Sequence, residues 1–265
     1  MKRIGNLYEK VCSIENLQLA DEKARKGKLR TYGVIEHDKK REVNLLKLRE
    51  TLLNGTFHTS KYDVFTIYEP KEREIYRLPY FPDRILHHAI MNVLEPIWVS
   101  TFTADTYSCI KNRGIHAAAK KVKQALREDP EGTTFCLKLD IRKFYPSINH
   151  DVLKSILRRK LKDKRLLRLL DEIIDSADGV PIGNYLSQYF ANLYLTYFDH
   201  WIKEQKRVKH YFRYADDIVI LASDKSYLHS LMGEIRAYLG DLKLEVKGNW
   251  QVFPVAARGI DFVAV

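Results

Sequence analysis

Cysteine is scarce. Only Cys12, Cys109 and Cys136 occur among 265 residues, far apart and without a CxxC pair, which excludes a cysteine-built zinc site or a disulfide framework and fits a reducing compartment. Long apolar runs are missing as well. No stretch approaches the roughly 18 consecutive apolar residues of a membrane span, and the basic start Met1-Lys2-Arg3-Ile4-Gly5-Asn6 leads into no apolar signal segment. A soluble, cytosolic protein with no membrane partner is expected. Internal repeats and low-complexity tracts are absent too, which excludes solenoids. Acids are in deficit, with 34 Asp and Glu against 45 Lys and Arg and a formal net charge of +11. Such a balance favours a polyanionic partner, nucleic acid first. An unliganded basic surface has the same composition, so the choice falls to motifs.

Against these absences, 45% of the residues are apolar, enough to bury one large domain or two interleaved lobes. Residues 6 to 55 read as charged helices, with Val43, Leu45, Leu46, Leu48 and Leu52 as apolar positions and a stop at Asn54-Gly55. Residues 62–68 and 74–78 flank the turn-like Glu69-Pro70-Lys71-Glu72 and read as a hairpin bearing Arg73 and Arg77. A helix is expected over 82–98 with Pro82 near its start, another after Gly114, and a short strand over 134–141 that ends at Asp140. Charged helices at 151–159 and 163–176 lead to the turn-rich loop 179–184, and one long helix is expected over 185–203. Two β-prone runs, 210–214 and 218–221, enclose Ala215-Asp216-Asp217 as a hairpin with acids at its bend. A helix at 225–239 and final strands near 242–246 and 259–263 complete an α+β chain with a small, mainly antiparallel sheet.

Clustered acids on strand ends suit phosphoryl transfer, which asks for two divalent cations about 3.5–4 Å apart. Magnesium prefers carboxylate oxygens, water and substrate phosphates, so two or three convergent Asp residues suffice. Asp140, Asp216 and Asp217 supply them if their strands are neighbours. An Asp-Asp pair in a turn is by itself an ordinary loop feature. The combination with the strand-end Asp140 and the intervening Gly-rich loop sets this pair apart. Adjacent His87-His88 lack acidic or Cys partners at ligand spacing and read as packing residues.

Leu139-Asp140-Ile141-Arg142-Lys143-Phe144-Tyr145-Pro146-Ser147-Ile148 resembles motif A of the reverse transcriptase family, and Tyr214-Ala215-Asp216-Asp217 resembles its motif C. The resemblance runs from about residue 60 onward with its motifs in order. It implies a right-hand polymerase of fingers and palm, with Asp140 and Asp216 as principal ligands of two Mg2+ ions, Asp217 as the weaker third acid, and the Ile141 carbonyl facing the metal. It also places Phe144 and Tyr145 at the dNTP, Tyr145 as the gate that excludes a 2′-hydroxyl. Arg73 and Arg77, with Lys71 beside them, fall where the family grips the triphosphate. Lys111 and Arg113, in the segment before motif A, imply contacts with template phosphate. The implied division is a helical N-terminus and fingers at 1–130 and a palm at 131–265, with fingers helices interleaved at about 150–178. Where the family would continue into a helical thumb after Gly259-Ile260-Asp261-Phe262, none is expected here.

Residues 181–192 are similar to motif B, where Ile182 and Gly183 face the dNTP and Asn184 and Gln188 the template strand. Most bacterial members have Gln-Gly and Ser-Pro where this chain has Ile182-Gly183 and Ser187-Gln188. The pattern here is similar to the reverse transcriptases of diversity-generating retroelements, as are 250–254 and 258–262. That subgroup implies copying of a template RNA into cDNA with errors opposite adenine, in a bacterial or phage setting, beside a small basic accessory protein. The rivals are a group II intron, retron or phage-defence reverse transcriptase, which the Ile182 and Gln188 pattern argues against, and a non-catalytic nucleic-acid-binding module. Clustered acids oppose the latter, because they would repel a phosphate backbone.

Overall fold

The computed structural model describes residues 3–68 and 72–262. Lys71 and the turn around it, and the end of the strand expected at 259–263, lie outside the described residues. In chain order the first helices are α1 (Tyr8–Cys12), α2 (Ile14–Ala24), α3 (Tyr32–Asp38), α4 (Arg41–Asn54), α5 (Ile85–Val99) and α6 (Ile115–Glu128). They are followed by α7 (Phe144–Ser147), α8 (His150–Lys160), α9 (Lys164–Asp175), α10 (Tyr185–Tyr194), α11 (Thr196–His200) and α12 (Lys225–Asp241). The strands are β1 (Asp63–Ile67), β2 (Arg73–Arg77), β3 (Phe135–Asp140), β4 (His210–Tyr214), β5 (Asp217–Ala222) and β6 (Gln251–Pro254). The chain forms two compact units, each from two stretches: Met1–Ser100 with Leu153–Phe190, and Thr101–Val152 with Ala191–Val265.

In the first unit, α4 turns Leu45, Leu48 and Leu52 inward, leaves Val43 and Leu46 in solvent and half-buries Leu53, so three of its six apolar positions make the core. It stops at Gly55, whose φ of 68° is the left-handed cap that glycine adopts without a Cβ penalty. Asp163 starts α9 by accepting from Leu166 N at 3.2 Å and holds α1 by accepting from the backbone N of Leu7 and Tyr8 at 2.8 and 2.9 Å. Helix α5 begins at Ile85, where its apolar period begins, and is preceded by a π-helical turn over Tyr80–Arg84 that contains Pro82. Phe81 precedes Pro82 and is extended (φ −110°, ψ 134°), because a proline ring disfavours helical backbone in the residue before it. His87 on α5 is a core residue, and burial pushes its pKa down to about 3, so it stays neutral.

A buried acid ties this unit together. Asp21 accepts from Arg25 at 2.8 Å, Arg41 at 2.5 Å and Tyr80 at 2.5 Å. Burial works against the Asp21 charge, but hydrogen bonds from His37, Tyr80, Arg41 and Arg25 outweigh it and hold the carboxyl well below the usual range.

The second unit is built on an antiparallel sheet ordered β4-β5-β3-β6. Helix α6 packs Ala118, Val122 and Ala125 into a core with Cys136, Val219 and Leu221 of the sheet. Three expectations are corrected here. No strand forms at 242–246, where Lys243 has φ 60° and Leu244 N returns to Leu239 O at 2.8 Å, so the segment closes α12 and leaves a single bridge from Val246 to Ile141. The outer strand is β6, whose Phe253 pairs with Cys136 in register and buries against the sheet, and residues 259–262 form no strand. The long helix expected over 185–203 is interrupted at Leu195, and Thr196 Oγ1 donates to Asn192 O at 3.0 Å in competition with the helical ladder. No helix among the described residues is long and apolar enough to cross a membrane.

Candidate active site

Pairing of β3 with β5 sets Asp140 directly opposite Asp217. Tyr214 pairs with Asp217, which leaves Ala215 and Asp216 as a two-residue hairpin loop. Ala215 has φ 53° at the first loop position, the sign that twisted hairpins require and glycine usually supplies. Ile141 N donates to Asp216 O at 3.3 Å, so the turn sits on the end of β3. The three acids expected from the sequence are therefore neighbours. Burial, then the adjacent Asp140 carboxylate, raises the Asp216 pKa to about 6, with Lys247 opposing.

Lys247, which the sequence reading missed, places its Nζ 2.8 Å from Asp140 Oδ1. Its backbone N also donates to Asp140 O at 2.9 Å. Among the described residues, no three His, Cys, Asp or Glu side chains form a ready metal cluster. The donor chemistry nevertheless suits a hard divalent cation. Two convergent carboxylates, one strained toward its neutral form and the other leaning on an ammonium, are the groups whose repulsion such a cation relieves.

Phe144 and Tyr145 follow Lys143, whose φ of 44° turns the chain sharply after β3. Phe144 is buried and meets Tyr145 edge to face at 5.7 Å. Burial raises the Tyr145 hydroxyl far above its ordinary pKa, as do Cys109, Asp216 and Tyr214, so the ring stands neutral beside the acids. In the same unit Arg113 donates to the carbonyls of Thr103 and Thr106 at 2.7 and 3.1 Å and braces its own loop, whereas Lys111 is exposed.

The remaining candidates belong to the first unit. Arg73 and Arg77 share one face of β2, two pleats apart. Arg77 is paired with Asp63 and lies 5.5 Å over the Phe65 ring, while the Arg73 side chain has no hydrogen bond or ion pair among the described residues, its backbone lying opposite Ile67. Tyr76 N, on the free edge of β2, donates to Ile182 O at 2.8 Å, so the loop 179–184 is pinned to the hairpin. Gly183 allows this approach. Its φ is 114°, and a Cβ there would stand 3.0 Å from Ile75 Cγ2 and 3.1 Å from Tyr76 O. Asn184 is buried with Nδ2 unpartnered, and Gln188 is exposed on α10.

Comparison with known proteins adds a family and a fold. The sequence profile described as Reverse transcriptase (RNA-dependent DNA polymerase) matches residues 69–255. Protein YkfC of Escherichia coli K12 is 26% identical over 83% of this chain and 70% of its own length. The group II intron-encoded protein LtrA of Lactococcus lactis is 23% identical over 66% of this chain, which spans 31% of LtrA. Nuclear intron maturase 4 of Arabidopsis thaliana is 27% identical over 58% of this chain and 20% of the maturase. Among solved structures, the apo telomerase of Candida tropicalis, truncated from its C-terminal domain, superposes with a TM-score of 0.54 at 13% identity. The match covers 84% of this chain and 57% of that one.

Proposed function

Because this chain belongs to the reverse transcriptase family, with the mixed fingers-and-palm fold of such polymerases, we propose that it copies a template RNA into cDNA from dNTPs at Asp140, Asp216 and Asp217. The observation that carries the reading is the pairing of β3 with β5, which sets Asp140 against Asp217 with Asp216 in the adjoining turn. Two Mg2+ ions held there, with the Ile141 carbonyl, would activate the primer hydroxyl and stabilise the departing pyrophosphate. The chain's own side chains do the rest. Tyr145, backed by Phe144, lies against the sugar and excludes a 2′-hydroxyl. Arg73, with Arg77 beside it, meets the triphosphate, and Ile182 and Gly183 border the nascent pair. Lys111 and Gln188 meet the template, with Arg113 and Asn184 shaping the segments beneath them. Residues 1–130 then serve as N-terminus and fingers and 131–265 as palm, with fingers helices between.

The finer reading is a retroelement polymerase that introduces errors at template adenines, working in a bacterial or phage-infected cytoplasm with a small basic accessory protein. It rests on Ile182 and Gln188 in place of Gln and Pro. A glutamine beside the nascent pair can hydrogen-bond, whereas Ile182 offers shape alone, so mispairs lose less relative to correct pairs. A group II intron type is the second reading, favoured by the likeness to LtrA and to an intron maturase. Extension of a labelled DNA primer on a defined RNA, with Mg2+ and dNTPs, tests the activity, and Asp216→Asn should abolish it. Sequenced products separate the finer readings. Errors concentrated at adenines and reduced by Ile182→Gln support the first, and accurate products support the second.

A further inference from the structure

One charged pair in the second unit is fully buried. Arg213 and Asp199 both have no side-chain exposure, and two charges are not taken out of water unless geometry and hydrogen bonds compensate. Here they do. Arg213 Nε donates to Asp199 Oδ1 at 2.7 Å and Nη2 to Oδ2 at 2.6 Å, a fork that only arginine makes. The two remaining lone-pair directions of Asp199 accept from Tyr211 Oη at 2.5 Å and Thr106 Oγ1 at 3.0 Å. Burial alone would disfavour the Arg213 charge, and Asp199 more than restores it.

The third arm of the guanidinium leaves the pair. Nη1 donates to Ala215 O at 3.0 Å and reaches Asn192 Oδ1 at 3.3 Å. Ala215 opens the loop that carries Asp216, with a side chain where the backbone favours none. The main chain of Arg213 is held too, since its N donates to Asp105 O and its O accepts from Tyr107 N, both at 3.0 Å. Asn192 Nδ2 in turn donates to Ser108 O at 2.7 Å. The turn bearing the acids is thus fastened through one guanidinium to α10, α11 and the 105–108 segment.

We propose that Arg213, clamped by Asp199, is a positioning residue that fixes the carbonyl of Ala215 and thereby sets the separation of Asp216 from Asp140 needed for cation binding. The proposal rests on the polymerase reading of that site. Arg213 touches no reacting atom; it determines where a ligand oxygen stands. Removing the arm should leave the sheet intact but let the loop relax, and a misplacement of about 1 Å at a reacting centre costs on the order of 10²-fold in rate.

The test uses the apolar double variant Asp199→Leu/Arg213→Met, which replaces the ion pair by side chains of similar volume and so preserves folding, together with Arg213→Lys, which keeps a charge for Asp199 and loses the arm to Ala215. Primer extension is measured as a function of Mg2+ beside the unaltered chain, with thermal unfolding of each protein. Both variants should unfold near the parent temperature yet extend roughly 10-fold to 100-fold more slowly, with half-saturation at several-fold higher Mg2+ and little change in KM for dNTP. Parent-like rate and Mg2+ dependence in a folded variant would overturn the proposal. If the double variant does not fold, Arg213→Lys alone decides. An unaltered chain that does not extend primers would instead refute the polymerase reading.

Discussion

Asp216 is an acid placed where its charge is unfavourable without a counter-ion. Its folded pKa of about 6 lies above the unfolded value, so the folded state keeps the proton longer, and stability is lost as the pH rises from the ordinary carboxylate range through about 6. In EDTA, Asp216→Asn should therefore raise Tm at pH 7, by roughly 2–4 °C for each kcal/mol relieved, with a smaller gain near pH 4. Added Mg2+ should stabilise the parent chain and not this variant, because a ligand that binds only the folded state raises Tm. These acids were legible in the sequence because each ends or begins a β-prone run and because the motifs fall in order. Arg213 was not. In a chain with 45 basic residues, one more between apolar neighbours looks like surface charge, and its partner Asp199 lies in a helix the periodicity drew as continuous. Lys247 was hidden for a related reason, since it reaches Asp140 from just beyond the segment 242–246, which was expected as a strand and instead closes α12.

Elements were readable where local chemistry decides them and misread where tertiary contacts do. Gly55, Asp163 and the apolar period of α5 announced their helices. The β6 strand carries no stronger β signal than 242–246, and its place is won by pairing with β3. The hairpin of β1 and β2 shows how one atom can matter between elements. Gly183→Ala would combine a φ of 114° with a methyl 3.1 Å from Tyr76 O. A loss of about 2 kcal/mol is expected, read by urea unfolding, with KM for dNTP rising as the loop moves off β2. Helix α2 offers a contrasting test. The depressed pKa of Asp21 contributes stability that is present above the unfolded carboxylate value and lost as the pH falls below about 4. Asp21→Asn should cost about 3 kcal/mol at neutral pH and progressively less in acid, which denaturant titrations at pH 7 and pH 3 will register.

For the whole molecule, the proposed function predicts that the excess of 11 positive charges dominates affinity for an RNA template. If about six phosphates are neutralised, log K should fall with log salt at a slope near −4 for a single strand, a value fluorescence anisotropy across a KCl series can check; a slope near zero would remove charge as the source of affinity. The chain crosses between its two units after Ser100, Val152 and Phe190, and these crossings carry no local signal, because they follow from packing. The central place of β3 also dictates timing. It lies between β5 and β6, and both are synthesised after it. A ribosome therefore releases the strand bearing Asp140 long before it releases either neighbour, and such distant pairing is slow. Until Asp217 has cleared the exit tunnel Asp140 has no partner strand to face, so translation halted before that point leaves an unpaired strand for chaperones to shield.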